Sequence, residues 1–194
     1  MIGYLKGNLT FKDPTFVIID VNGVGYEVKI SLYTFSKVKD LDACLLYTHL
    51  YVKEDAHTLY GFSGKEEKSI FLQLISISGV GPNTALMINS SLTVDELKKA
   101  ILQEEVEVIQ KVKGIGSKTA HRIILELKDK IKKEGLDVGN QAFGSNKVRS
   151  EALSALVTLG INRNVAEKSV DGILKKHGND VTLEELIKLV LKQA

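Results

Sequence analysis

Over residues 1 to 62 apolar side chains return at about every second position, which is the period of a strand with one face buried. Phe16-Val17-Ile18-Ile19-Asp20-Val21 runs into Asn22-Gly23, a dipeptide suited to a tight hairpin, and Tyr26, Val28 and Ile30 then alternate with Glu27, Lys29 and Ser31. Leu46, Thr48, Leu50 and Val52 alternate with Tyr47, His49, Tyr51 and Lys53, and after Glu54-Asp55-Ala56 a last strand is expected over Thr58-Leu59-Tyr60-Gly61-Phe62. A short irregular piece is expected between Tyr33 and Lys39.

Some five strands packed into residues 1–62 predict a small closed barrel of the OB kind. At Ser63 the period changes. Ser63-Gly64-Lys65-Glu66 reads as a capping box, and Ile70, Phe71, Leu74 and Ile75 follow at helical spacing. Thr93-Val94-Asp95-Glu96 is a second such box ahead of Leu97, Ala100 and Ile101. A short helix carrying Val106, Ile109 and Val112 precedes a longer one with Ala120, Ile123, Ile124, Leu127 and Ile131, so residues 63–134 read as an all-helical domain of two helix–turn–helix units. The pattern lapses over 135–146, where Gly135, Gly139 and Gly144 among polar residues predict a flexible linker. Residues 147–194 then read as three short helices, with stops at Gly160 and Gly178 and a start at Thr182, the size of a UBA-like three-helix bundle. The fold class is therefore α+β multidomain: barrel, tandem helical hairpins, linker, bundle. Such a tethered bundle suits the capture of another protein; packing back on the chain is the alternative.

The two helical units meet their second helices through the same punctuation. Gly79-Val80-Gly81-Pro82-Asn83-Thr84-Ala85 and Gly114-Ile115-Gly116-Ser117-Lys118-Thr119-Ala120 lie 35 residues apart (114 minus 79). A glycine, a β-branched residue and a second glycine make a tight turn that aims backbone N–H groups outward at a helix start. Those unpaired donors and the positive dipole end attract phosphate. Pro82 suits the first helical position, where its missing N–H costs nothing. Two copies predict a grip on two runs of phosphate, hence on nucleic acid.

Charge narrows how such a grip would work. The formal net charge is +2, so attraction must come from local clustering of Lys111, Lys113, Lys118 and Arg122 around the second turn, together with backbone amides. Lys128, Lys130, Lys132 and Lys133 read instead as a solvated helix face. The single Cys44 excludes an intramolecular disulfide and any multi-thiolate metal site, and reads as a buried inert thiol. His49, His57, His121 and His177 are scattered without metal-ligand spacing, so neither metal nor cofactor is expected. No apolar run approaches the roughly 18 residues of a membrane span, and no secretory leader pattern opens the sequence; a cytoplasmic protein without membrane contact is expected.

Met1-Ile2-Gly3, Asn22-Gly23-Val24-Gly25-Tyr26-Glu27-Val28, Glu54-Asp55-Ala56 with Leu59-Tyr60-Gly61-Phe62, and the two glycine turns occur in an order that closely resembles the RuvA family over the whole length. The resemblance implies a non-catalytic subunit that binds four-way (Holliday) DNA junctions in recombination and repair. It implies a homotetramer, open to pairing into an octamer, and helix-hairpin-helix motifs that hold DNA backbones across the minor groove without reading bases. The backbone ligands would be Gly79, Val80, Gly81, Asn83, Thr84, Gly114, Ile115, Gly116, Ser117, Lys118, Thr119 and Arg122. Glu54 and Asp55 match the family's acidic pin, whose carboxylates would repel phosphate and disfavour continuous duplex. The bundle would contact RuvB, a hexameric ATPase, with the RuvC resolvase in a larger complex; this chain has no phosphate-binding loop of the P-loop kind. Asn83 departs from the basic residue that often follows the proline in the family, and loses the charge-assisted part of a phosphate contact.

Two other functions remain open on sequence. The second turn also resembles the hairpin of endonuclease III-like DNA glycosylases, in which a lysine attacks the sugar; Lys118 would be the nucleophile and Asp137 its carboxylate partner. Alternatively the paired hairpins form a scaffold that joins proteins, because glycine turns also let helices pack closely.

Overall fold

The computed structural model describes residues 1–139, 145–177 and 181–193. The chain divides into two compact units, Met1–Ile131 and Lys132–Ala194.

In the first unit, strands β1 (Tyr4–Lys12), β2 (Phe16–Val21), β3 (Val24–Ile30), β4 (Ala43–Val52) and β5 (His57–Phe62) close into a barrel in the order β1-β2-β3-β5-β4. Only β3 and β5 run parallel; the remaining neighbours are antiparallel. Asn22 (φ 53°) and Gly23 (φ 89°) make the tight β2–β3 turn that the Asn-Gly pair requires. Gly7 has no room for a side chain, since a Cβ there would lie 2.0 Å from the Asp20 carbonyl oxygen across the β1–β2 pair. Val17, Ile19, Val28, Ile30 and Leu46 fill the interior, the alternation that the sequence shows.

Two local expectations change here. The piece between Tyr33 and Lys39 is a helix, α1 (Leu32–Val38), whose N-cap Ser31 accepts the Thr34 amide. Too few of its residues are buried to write a helical period, Thr34 and Val38 being the buried ones. The expected capping box at Ser63–Glu66 does not form: the N-cap of α2 (Lys65–Ile75) is Gly64, with no side-chain cap. Ser63 instead donates from its N–H and hydroxyl to Glu67, at 3.3 Å each. Burial explains the switch, because Glu67 is 3% exposed and must be satisfied from every side.

The helices α3 (Pro82–Ser91), α4 (Val94–Leu102), α5 (Val106–Gln110) and α6 (Ser117–Gly139) complete the hairpins. The Thr93/Glu96 capping box forms as expected. Helix α6 runs past the expected end near residue 134; the linker expected over 135–146 thus begins on helix, and 140–144 lie outside the described residues. Tyr60 and Phe62 of β5 belong to the same apolar cluster as Phe71, Leu74, Ile88, Leu97 and Ile123, so β5 joins the hairpins' core while the barrel interior forms a cluster of its own. Phe71 stands at the join, its ring 4.9 Å from Phe62 and 5.1 Å from Tyr60.

The second unit contains α7 (Ser145–Thr158), α8 (Arg163–His177) and α9 (Leu183–Gln193) around Ala152, Leu156, Val170, Ile173, Leu186 and Val190. Gly160 ends α7 at φ 92°, as its position implies, and Thr182 and Glu185 form the box that opens α9. The expected stop at Gly178 lies outside the described residues. Arg149 clasps both carboxylate oxygens of Asp171, at 2.6 and 2.9 Å, and this bond chiefly holds the Asp171 carboxyl below its ordinary range.

Candidate nucleic-acid interface

The two glycine turns have the same backbone. Gly79 lies at φ 90° and Gly114 at φ 89°, conformations that side chains resist but where nothing stands within 4 Å of either absent Cβ. Val80 donates its N–H to the Ile77 carbonyl at 3.0 Å, and Ile115 donates to Val112 at 3.1 Å. Both β-branched side chains point inward, Val80 being 4% and Ile115 7% exposed, which pins each turn to the shared core. The helical ladders then start identically, with Ala85 N–H to Gly81 at 2.9 Å and Ala120 N–H to Gly116 at 3.0 Å.

Before those first ladder bonds, a helix start has N–H groups without intrahelical acceptors. In α3 these are at Asn83 and Thr84, because Pro82 at the first position has none to give. In α6 they are at Ser117, Lys118 and Thr119. Glycines flank both sets, so no side chain covers the approach of a phosphate. Gly79, Gly81, Gly114 and Gly116 are exposed, as are Asn83, Ser117 and Lys118, while Thr84 and Thr119 are half-buried.

The side chains around the turns differ. Lys118 is exposed, and among the described residues it makes no ion pair. Asn83 has its Oδ1 3.4 Å from the hydroxyl of Tyr60, which burial and the neighbouring Tyr51 push above its ordinary pKa. His121 turns back on its own helix, with Nδ1 2.8 Å from the Ser117 carbonyl oxygen. Arg122 is engaged within the protein: Nε donates to Glu126 at 3.0 Å and Nη1 to the Ser78 carbonyl at 3.1 Å. Lys128 pairs with Glu104, and Lys130 donates to the Ser76 hydroxyl at 3.2 Å, so these two of the lysine run reach other elements, Lys130 while exposed to solvent as expected. No local pattern announces these long-range bonds, because each partner is an ordinary loop residue or a carbonyl.

Glu54 and Asp55 form the exposed tip between β4 and β5, closed by Lys53 N–H to the Ala56 carbonyl at 2.8 Å. The tip and the first turn are linked along β5, since Tyr60 lies against Tyr51 and reaches Asn83. Between the barrel and α3 lies a polar cluster that the sequence pattern does not reveal. Glu67 accepts from the Ser31 hydroxyl and from Thr34 at 2.7 Å, and Asn89 of α3 donates to the Glu67 carbonyl at 3.2 Å. Burial raises the Glu67 carboxyl above its ordinary value, with the surrounding donors opposing in part. A signal for it exists in Ser63 and Glu67, one turn apart at the barrel–helix junction, but it is masked by the neighbouring Glu66, which reads as a cap.

Asp137 falls on α6 and its side chain lies outside the described ones, as does any pairing of it with Lys118. Among the described residues no group of three or more His, Cys, Asp or Glu side chains is placed to hold a metal ion, and no helix is long and apolar enough to cross a membrane.

Comparison with known proteins agrees with this geometry. A model of the RuvA N terminal domain matches residues 1–61, one of a SAM-like helix-hairpin-helix tandem matches 71–129, and one of the RuvA C-terminal domain matches 147–194. A protein of Cytophaga hutchinsonii named Holliday junction branch migration complex subunit RuvA is 55% identical over 199 aligned residues, covering 100% of both chains. Proteins of the same name from Christiangramia forsetii and Amoebophilus asiaticus are 53% and 50% identical, covering 100% and 99% of this chain and 100% of their own.

Proposed function

This chain belongs to the RuvA family, and from that premise we propose that it binds four-way DNA junctions through their backbones, without reading base sequence, and presents them to an ATP-driven motor of the RuvB kind. The observation that carries this reading is the repetition of one phosphate-ready turn, with equal backbone angles, on a single compact unit. Amide donors at Asn83, Thr84, Ser117, Lys118 and Thr119, with the Lys118 ammonium, hold phosphate oxygens and carry no sequence information. The exposed carboxylates of Glu54 and Asp55 act as the acidic pin that separates strands where arms meet. Four copies arranged about a four-fold axis convert paired grips into a junction reader; exposed Val24, Leu41 and Leu45 on the barrel unit support burial against another copy. Pairing of two tetramers and joint work with a RuvC resolvase belong to the same reading. So does motor contact through 147–194, where Val157, Leu159 and Val165 leave apolar surface exposed.

The chain contributes binding and the motor supplies ATP hydrolysis. The glycosylase and scaffold readings are not favoured, since they leave the barrel unexplained and the relatives share a different named role. Band shifts at matched salt test the proposal: strong preference for a four-way junction over linear duplex is expected. Equal affinity for the two would overturn it, strand cleavage or an imine trapped at Lys118 would favour the glycosylase, and no binding would favour the scaffold.

A further inference from the structure

We infer that Arg122 is a positioning residue: it ties the helix of the second hairpin to the turn of the first, and so fixes the separation at which the two grips meet a DNA backbone. Its consequence for DNA rests on the junction-binding reading; its geometry does not. The Arg122 guanidinium bridges two acceptors, Glu126 on its own helix at 3.0 Å and the Ser78 carbonyl at 3.1 Å, 44 residues away in sequence. Glu126, one turn further along, orients the planar fork so that Nη1 faces the carbonyl immediately before Gly79. One more turn along the same stripe, Lys130 donates to the Ser76 hydroxyl, and that hydroxyl donates in turn to the Gln73 carbonyl at 2.6 Å. Residues 122, 126 and 130 therefore form a row on α6 that follows the end of α2 into the first turn. The row is charged at each step and its targets are backbone or hydroxyl oxygens, so it holds the turn by directed bonds where the apolar core holds it by packing.

The brace runs in one direction only. Thirty-five residues earlier (122 minus 87), the position that matches Arg122 on α3 is Met87, whose thioether has no N–H to offer a carbonyl of the second turn. Two grips on one DNA molecule reinforce each other only when their spacing is held, because the second contact is then intramolecular. An arginine that holds the spacing contributes to affinity without adding a phosphate contact. This is a different role from ligation, in which each neutralised phosphate appears in the salt dependence.

The test uses the full chain with Arg122→Lys, which keeps the charge and loses the bridging fork, and Arg122→Gln, which loses both. Amide hydrogen exchange at Val80 and Ile115 is measured in the free protein, and junction affinity is measured across salt. Both variants should speed exchange at Val80 about tenfold relative to Ile115, and weaken junction binding about tenfold with an unchanged salt slope, the effect of losing one charge-assisted hydrogen bond. Full retention of both properties by Arg122→Lys would overturn the brace and leave charge as the function. Unchanged exchange in Arg122→Gln with a slope lowered by about one unit would make Arg122 a phosphate ligand instead. Faster exchange without weaker binding would also overturn the positioning role. If the unsubstituted protein shows no junction preference, the functional reading fails, and the exchange data still decide whether the bond holds the turn.

Discussion

The first and second hairpins share a backbone and divide the labour of their side chains. The first turn is anchored: Asn83 meets Tyr60, Ser90 accepts the Leu32 amide at 3.1 Å, Asn89 reaches the Glu67 carbonyl, and Arg122 holds the Ser78 carbonyl. The second turn is left open, with an exposed lysine where the first has asparagine and a serine N–H where the first has proline. Equal geometry thus does not imply equal affinity. The first hairpin fixes position against the barrel, and the second supplies more of the attraction for phosphate.

The harshest way to break this division is to destroy one turn at a time. Gly114→Val places a β-branched residue at φ 89°, a conformation whose cost is on the order of 1–2 kcal/mol or more. Junction affinity measured by band shift should fall at least about tenfold, and by more than in Gly79→Val. Because nothing lies within 4 Å of the absent Cβ at Gly114, the cost is conformational, and Gly114→Asn should recover much of the binding. An equal loss from both valine substitutions would remove the asymmetry.

Charge separates the hairpins next. Lys118→Ala should weaken binding to all junction sequences alike and lower the salt slope by about 0.9, whereas Asn83→Ala should leave the slope unchanged. A fixed slope in Lys118→Ala would remove that lysine from the interface. The reverse experiment sharpens the comparison: Asn83→Lys adds a cation at the matching position, and titration across salt should show the slope rise by about 0.9 with affinity up about threefold at low salt. If Tyr60 keeps the new side chain away from DNA, neither quantity will move.

How much of the molecule is legible in the sequence follows from the range of the interactions. The barrel strands, both glycine turns, the Thr93/Glu96 box and the stop at Gly160 are written in neighbouring residues, through period, φ preference or capping chemistry. Strand β1 and helix α1 are harder to read: Gly7 is dictated by Asp20 on another strand, and α1 is too short to repeat its pattern. The side-chain bonds of Arg122, Lys130 and Tyr60 join residues 23 to 54 positions apart, and one-dimensional spacing holds no trace of them. Their type is ordinary and only their placement is informative. Both glycine turns are therefore plain in the order of residues, and so are the differing residues Asn83 and Lys118, Pro82 and Ser117, Met87 and Arg122, but not the bonds that those residues make.

The smallest expected effect concerns the anchoring of the first hairpin and not its grip. Glu67 bonds Ser31, Thr34 and Ser63 on the barrel side and, through its carbonyl, Asn89 of α3. Burial raises its folded-state pKa, so the unfolded chain releases this proton first as pH rises. Its contribution to stability is present below the ordinary carboxylate range, declines as pH climbs toward the raised folded value, and stays lost above that. Thermal midpoints of the Glu67→Gln variant, followed from about pH 4 to about pH 8, should accordingly fall less with rising pH than those of the unsubstituted chain. The amide keeps an acceptor for the barrel hydroxyls and cannot ionise. An identical pH profile in the two proteins would mean that the buried carboxyl does not change protonation on folding, and the first hairpin's anchor would then be insensitive to pH over this range.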